Sequence, residues 1–140
     1  MTGMESLPET RFINVDLEVS SRTDLRWLVE EFGADATNLY CGEARGYFLA
    51  TFETANVPGD PDGKIGYFCH LVECMPPEAR QKWNDAFAKV FDLGYESGAG
   101  PYSFQSELRA DTVAAVARVG ASIRVTVYPV APMELGLTKA

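Results

Sequence analysis

The chain's single histidine, His70, lies among residue types that perform acid–base and nucleophilic chemistry. Cys69 precedes it, and Glu73 and Cys74 follow at three and four residues, a spacing that would place His70, Glu73 and Cys74 on one face of a helix. A histidine beside a cysteine can activate a thiolate. No motif supplies the oxyanion donor and the third group that such catalysis needs. We therefore favour a structural role here and predict no catalytic residue.

Polar and aliphatic side chains alternate in two segments, 11–20 and 121–130. Such alternation predicts strands with one buried face and one solvated face. If both strands bury their aliphatic side chains, their polar side chains share one face of a sheet. The polar residues predicted on this face are Asn14, Asp16, Glu18, Arg124, Thr126 and Tyr128, and Asp92, Gln105 and Glu107 are candidates to join them.

Carboxylates that converge on one surface can bind a divalent cation, perform acid–base chemistry or recognise a basic partner. A solvated sheet face that holds a cross-strand pair of Asp16 or Glu18 with Arg124 needs no function at all. Partner binding is the functional alternative that we retain. Tyr40 and Tyr47 are added as contacts because aromatic side chains are enriched at protein interfaces.

No cofactor or metal site is predicted. Cys41, Cys69 and Cys74 do not form a C-x-x-C pair, and one histidine is too few for a zinc site of the usual kind. The glycine-containing stretch 94–100 lacks the lysine of a phosphate-binding loop. Asp60 and Asp62 fall short of the ligand number of a calcium loop.

Charge and cysteine content narrow the classes of partner and compartment. The chain has 140 residues with 20 acidic and 12 basic side chains, a formal charge of −8. This balance disfavours nucleic acid and anionic membranes as partners and suits a basic protein. An odd number of cysteines and the absence of a signal-like apolar segment favour a cytoplasmic protein.

The elements that would position these residues follow the order βαββααββαβ. The fold class predicted is α+β, with an antiparallel or mixed sheet of about six strands and helices packed on one face. A single domain is expected over 11–130, with flexible ends at 1–10 and 131–140. The predicted strands are 11–20, 38–41, 47–53, 91–95, 103–108 and 121–130.

The predicted helices follow from caps and from apolar spacing. One begins after Ser21 or Thr23 and ends at Gly33. Asp60 and Pro61 begin the next, and the two prolines at 76 and 77 separate it from a third, whose stripe extends to Val90. A fourth occupies 110–119. The residues 42–46 are expected to connect the two strands of a hairpin.

Three segments carry a resemblance to known proteins: FINVDLE at 12–18, VFDLGY at 90–95 and GASIRVTVYP at 120–129. Together they resemble a group of small bacterial proteins of unassigned function. The last segment is also similar to the closing strand of a larger family of bacterial domains, some of which occur near toxin–immunity loci. The resemblance implies the α+β fold and an association with immunity proteins, and it assigns no active-site residue.

The function predicted from the sequence is that of a small acidic protein-interaction module, immunity-like, which masks a basic partner. Two alternatives stay open. One is a structural homo-oligomer in which the solvated sheet face is buried against a second copy. The other is an enzyme that uses His70 or the pair Asp16 and Glu18.

Overall fold

The alternating segment near the start of the chain forms the central strand of a five-stranded mixed sheet. The computed structural model describes residues 9–54, 57, 59–100 and 102–129. The flexible ends predicted at 1–10 and 131–140 lie outside these residues, except for Glu9 and Thr10. Glu9 forms an isolated bridge with Gly100.

The chain is an α+β protein, as predicted. In chain order its elements are β1 (Arg11–Ser21), α1 (Arg26–Phe32), a 3-10 turn (Gly33–Asp35), β2 (Thr37–Ala44), β3 (Tyr47–Glu53), α2 (Pro61–Glu73), α3 (Pro77–Asp85), β4 (Ala88–Glu96), α4 (Ala110–Arg118) and β5 (Ser122–Tyr128).

The sheet has the strand order β2-β3-β1-β4-β5. β1 pairs antiparallel with both β3 and β4, and β2 pairs antiparallel with β3. β5 pairs parallel with β4, so the chain must cross over between them, and α4 lies in that connection. Both alternating segments singled out in the sequence are strands, one central and one at the edge.

The predicted sixth strand at 103–108 is wrong, since these residues form an irregular segment. Side chains rather than a backbone ladder hold the segment against β4. The Phe104 ring meets Tyr95 edge-on with centroids 5.7 Å apart, and the Ser106 and Tyr95 hydroxyl oxygens lie 2.6 Å apart. Val90, predicted on a helix, belongs instead to β4, because α3 ends at Asp85.

Local signals located the helix that carries His70. The Asp60 side chain accepts a hydrogen bond from the Gly63 N–H at 2.9 Å, and Pro61 occupies the first turn, as the sequence predicts. The hairpin connection is shorter than predicted. β2 extends to Ala44, and the turn consists of Arg45 and Gly46, both with positive φ.

The core lies on one face of the sheet. Val15, Leu17 and Val19 of β1 are fully buried, and side chains from all four helices join the same cluster. Aromatic pairs connect helices to strands, with ring centroids 4.9 Å apart for Phe32 and Phe52. In the described part of the chain no helix covers the opposite face, which we call the open face. No helix among these residues has the length and apolar character needed to traverse a bilayer.

Candidate functional site

A line of four charged side chains crosses the open face. Glu53 on β3 lies opposite Asp16 on β1, and Asp16 lies opposite Asp92 on β4. Asp92 is in turn paired with Arg124 on β5. We call Glu53, Asp16, Asp92 and Arg124 the charged row. Because neighbouring strands are about 4.8 Å apart, the row brings three carboxylates together with one guanidinium.

Arg124 binds two of the nearby acids but not Asp16. Its Nη1 lies 2.9 Å from Glu18 Oε1 and 3.3 Å from Asp92 Oδ2. The contact with Glu18 crosses β4, since Glu18 itself pairs with Val90. Thr126 Oγ1 donates to Asp92 Oδ1 at 2.7 Å. The cross-strand pair of Glu18 with Arg124, one of the two alternatives named from the sequence, is therefore present.

The carboxyl group of Asp16, on the open face, has a strongly raised pKa. Burial raises its pKa to about 6, and the nearby charges of Glu53, Asp92 and Glu18 add to the effect. Within the described residues no ion pair involves Asp16. Asp16 therefore changes its charge near pH 6, whereas an ordinary aspartate does so near pH 4.

A shallow cavity of about 200 Å³ opens beside Asp16. Its lining residues are Ile13, Asn14, Asp16, Glu53, Asp92, Gly94 and Tyr128. The Asn14 amide donates to Glu53 Oε1 at 2.9 Å, and its Oδ1 is buried without a hydrogen-bond partner in the described structure. The wall of this cavity combines three carboxylates with the apolar surface of Ile13 and Tyr128, an environment that suits a cationic hydrogen-bond donor on an aliphatic stem.

No group of three or more histidine, cysteine or acidic side chains in the described segments has the geometry to hold a metal ion. The acceptors and the carboxylate charge suit an ammonium or guanidinium group, which carries its charge together with its own donors.

The two tyrosines proposed as contacts occupy different parts of the open face. Tyr40 lies on one line with Thr51 and Glu18, two strands from Glu18. Its hydroxyl donates to the Glu43 carbonyl at 2.7 Å, and the ring lies over Gly42, where an added Cβ would be 2.9 Å from the tyrosine oxygen. Tyr40 is therefore fixed in place beside the charged row.

Tyr47 lies at the opposite end of β3 from Glu53. Its ring meets Phe87 edge-on with centroids 5.5 Å apart. The structure thus brings six of the predicted residues together. Tyr40 lies two strands away from Glu18, and Tyr47 lies apart from all of them. The six are Asn14, Asp16, Glu18, Arg124, Thr126 and Tyr128.

Glu53 is not among the site residues predicted from the sequence, although it lies directly opposite Asp16. The alternation within β3 places Glu53 on the side of Leu49 and Thr51, but only the register with β1 shows that this side is the open face. Gln105 and Glu107, named as candidates for the face, lie in the irregular segment 103–108 and not on the sheet.

His70 on α2 and Cys74, the residue that follows this helix, are both exposed, with Nε2 and Sγ 3.6 Å apart. Cys69 is buried, and burial raises the pKa of its thiol to about 11, so this thiol stays protonated at neutral pH. The acidic cavity is lined by other residues, as is a larger cleft of about 520 Å³ between Tyr95, Phe104 and Val125. The contact between His70 and Cys74 is therefore a surface contact outside both cavities.

Comparison of the chain with protein-family models, with curated proteins and with solved structures finds no match. The resemblance to small bacterial proteins near toxin–immunity loci stays a prediction. The open face, with its charged row and acidic cavity, is therefore the feature of the molecule that points to a function.

Proposed function

We propose that this protein is an interaction module that binds a basic protein partner through its open face and masks it, in the manner of an immunity protein. The observation that carries the proposal is the position of Asp16 between Glu53 and Asp92, on a sheet face that no helix covers in the described structure. The expected contact is a lysine or arginine side chain of the partner, seated in the acidic cavity.

The three neighbouring carboxylates of the charged row destabilise the isolated protein. Like charges placed directly opposite each other on neighbouring strands destabilise a sheet. Arg124 offsets the charge of Asp92 and Glu18, while the raised pKa of Asp16 shows that its own charge is poorly compensated. A cation from a partner would offset this repulsion, so binding would stabilise the ionised form of Asp16.

The cavity also offers directed hydrogen bonds. Asn14 lines the same cavity as Asp16 and Asp92, and its amide N–H donates to Glu53 Oε1 at 2.9 Å and so orients that carboxylate. An ammonium or guanidinium group would donate its N–H groups to the carboxylate oxygens of the cavity while its charge offsets theirs. Beyond the cavity, the formal charge of −8 would attract a basic protein at long range and speed its association.

The proposed place of action is the cytoplasm. Cys41, Cys69 and Cys74 are free thiols. Unpaired cysteines are typical of proteins kept in a reducing compartment. This part of the proposal is tested by fractionation of the source cells, in which recovery of the protein outside the cytoplasm would contradict it.

The binding proposal is tested by affinity capture from a lysate of the source cells. The bait is the wild-type protein, and the test variant carries Asp16→Lys with Glu18→Lys. The matched control carries Glu30→Lys with Glu31→Lys, which makes the same change of charge at exposed positions on α1. All three baits are first compared by circular dichroism to establish that they fold alike.

The expected result is a basic protein that wild type and the control capture at moderate salt and that the open-face variant loses. Its affinity should weaken as salt rises, because the contact is largely ionic. Capture by all three baits would move the contact to another surface. Capture by none of them would contradict the masking role.

A further inference from the structure

The edge strand β5 leaves its aliphatic side chains in solvent. Ile123, Val125 and Val127 pair in register with Phe91, Leu93 and Tyr95, so they lie on the core side of the sheet. Whereas the β4 residues are buried, Val125 is 58% and Val127 is 57% exposed. The alternation in 121–130 predicts that this face of the last strand is buried, and that prediction is wrong. In the described structure the helices do not reach far enough to cover it.

The outer edge of β5 is also flat and unpaired among the described residues. Its seven residues pair with β4 without a register shift. The opposite edge strand, β2, is interrupted between Asn38 and Tyr40 by an irregularity of the kind that blocks edge pairing. β5 has no proline and one charged residue, Arg124, and such an edge is a template for pairing with another strand.

We propose that β5 is a homodimer interface, in which the strands of two copies pair antiparallel about a two-fold axis at Val125. The sequence of β5 is complementary to itself in this arrangement. Val125 faces its own copy, and Ile123 faces Val127, so the aliphatic side chains of both copies pack together on the core side. On the open face Ser122 faces Tyr128 and Arg124 faces Thr126. The two sheets become one continuous sheet.

The charges at β5 are compatible with this pairing. Arg124 faces Thr126 of the other copy and not a second arginine, and its guanidinium is already bound to Glu18 and Asp92 of its own chain. A two-fold contact closes on itself, so it yields a dimer and not a filament. Pairing of one short strand buries less area than a standard stable interface, which predicts a weak dimer that forms as concentration rises.

The dimer is independent of the proposed function, because the open face stays uncovered in it. Both copies would present their charged rows on the same side of the continuous sheet. The alternative homo-oligomer considered from the sequence buries that face instead. An open-face variant such as Asp16→Asn is therefore expected to leave the dimer unchanged, and it separates the two arrangements.

The first test is sedimentation equilibrium of the full chain between about 10 μM and about 1 mM, the range expected for a weak interface. Wild type should change from monomer to dimer. Val125→Lys places a charge at the two-fold axis and should raise the dissociation constant at least about tenfold. The matched control is Leu39→Lys on the edge strand β2, where an aliphatic side chain is similarly exposed. It should leave the constant unchanged.

The second test measures whether the Val125 positions of the two copies lie close together. In a background with Cys41→Ser and Cys74→Ser, Val125→Cys should form a disulfide-linked dimer on mild oxidation, since facing Cβ atoms on paired strands are about 5 Å apart. Val113→Cys, at an exposed aliphatic position on α4, is the control and should not cross-link.

If the protein is a monomer at every concentration, the proposal is overturned. The edge of β5 would then be open to a strand of a different sequence, from another protein or from elsewhere in the chain. A dimer that Val125→Lys does not weaken, or equal cross-linking through Val125→Cys and Val113→Cys, also overturns it. A dimer lost in Asp16→Asn would assign self-association to the open face.

Discussion

Asp16 and Asp92 lie directly opposite each other on β1 and β4, yet their surroundings differ. Asp92 accepts hydrogen bonds from Thr126 and Arg124, at 2.7 Å and 3.3 Å. Asp16 faces Glu53 on its other side, and its pKa is raised to about 6. Two aspartates that face each other therefore have different partners, and the raised pKa of Asp16 has consequences that can be measured.

Asp16→Asn should stabilise the protein at neutral pH. An acid whose pKa is raised in the folded state stabilises that state most below its unfolded pKa, and this contribution is lost as the pH rises through the folded value. The free energy of unfolding of wild type should therefore fall between about pH 4 and about pH 7. After allowance for solvent screening, the variant should gain about 1 kcal/mol at neutral pH.

The measurement is urea unfolding of both proteins across this pH range. Near pH 4 the two stabilities should converge, because the protonated carboxyl and the amide are both neutral and similar in shape. Glu30→Gln on the exposed surface of α1 is the control and should change little at any pH. A variant less stable than wild type at neutral pH would contradict the proposed repulsion.

Asp62→Asn should have the opposite pH dependence. Burial alone would raise the pKa of Asp62, but hydrogen bonds from Thr112 and the Arg109 N–H, with the Arg109 charge, lower it below its usual value. The Arg109 N–H lies 2.9 Å from Asp62 Oδ1, at the start of α4. We expect a loss of about 1–2 kcal/mol at neutral pH.

A lowered pKa stabilises the folded state above the unfolded pKa, and this contribution is lost as the pH falls through the folded value. The difference between wild type and Asp62→Asn should therefore shrink on acidification below about pH 4. The same urea series measures it. A constant difference down to about pH 2 would show that the carboxylate charge is not what holds α4 in place.

Two substitutions in the hairpin turn should change the free energy of unfolding in opposite directions. Arg45 has φ +56° and Gly46 has φ +89°, so both residues adopt a conformation that most side chains disfavour. Arg45→Asn should raise the free energy of unfolding by about 0.5–1 kcal/mol, because asparagine tolerates positive φ. Gly46→Ala should lower it by about 1 kcal/mol or more. Thermal unfolding of both variants checks the pair, and equal shifts would contradict the assigned turn.

Trp83→Phe should destabilise the core. The Trp83 indole N–H donates to the Val119 carbonyl at 2.8 Å, and the side chain is fully buried. Phenylalanine would leave that carbonyl without its donor and would also leave a void, for a loss of about 2 kcal/mol. Trp27, half-buried with Lys82 over its ring, is the control. Trp27→Phe should cost less than about 1 kcal/mol in chemical denaturation. Equal losses of stability in the two variants would show that the Trp83 hydrogen bond makes no measurable contribution.

Local signals predicted most elements, because each depends on neighbours in the sequence. Asp60 with Pro61 located the start of α2, and strict alternation located β1. The segment 103–108 also alternates, but no strand in the described structure pairs with it. A strand needs a partner for its backbone groups, and a single chain segment does not reveal whether one is present.

The candidate site likewise has a part that the sequence predicts and a part that only the strand register reveals. Alternation placed Asp16, Glu18 and Arg124 on one face, and the structure shows them there. Glu53 could not be found, because it reaches Asp16 only through the antiparallel register of β3 with β1. A shift of that register by one residue would have turned Glu53 towards the core.

By itself, the sequence determined which side chains of each strand share a face, because that follows from the two-residue repeat of the extended chain. It also determined where α2 begins, through the Asp60 cap that acts over three residues, whereas α1 begins at Arg26 without the cap predicted at Ser21 or Thr23. The tertiary structure alone decided that Asp16 lies between two carboxylates and that Val125 stays in solvent at an edge. Both depend on which strands are neighbours and on how far the helices extend, and these are properties of the assembled core rather than of any one segment.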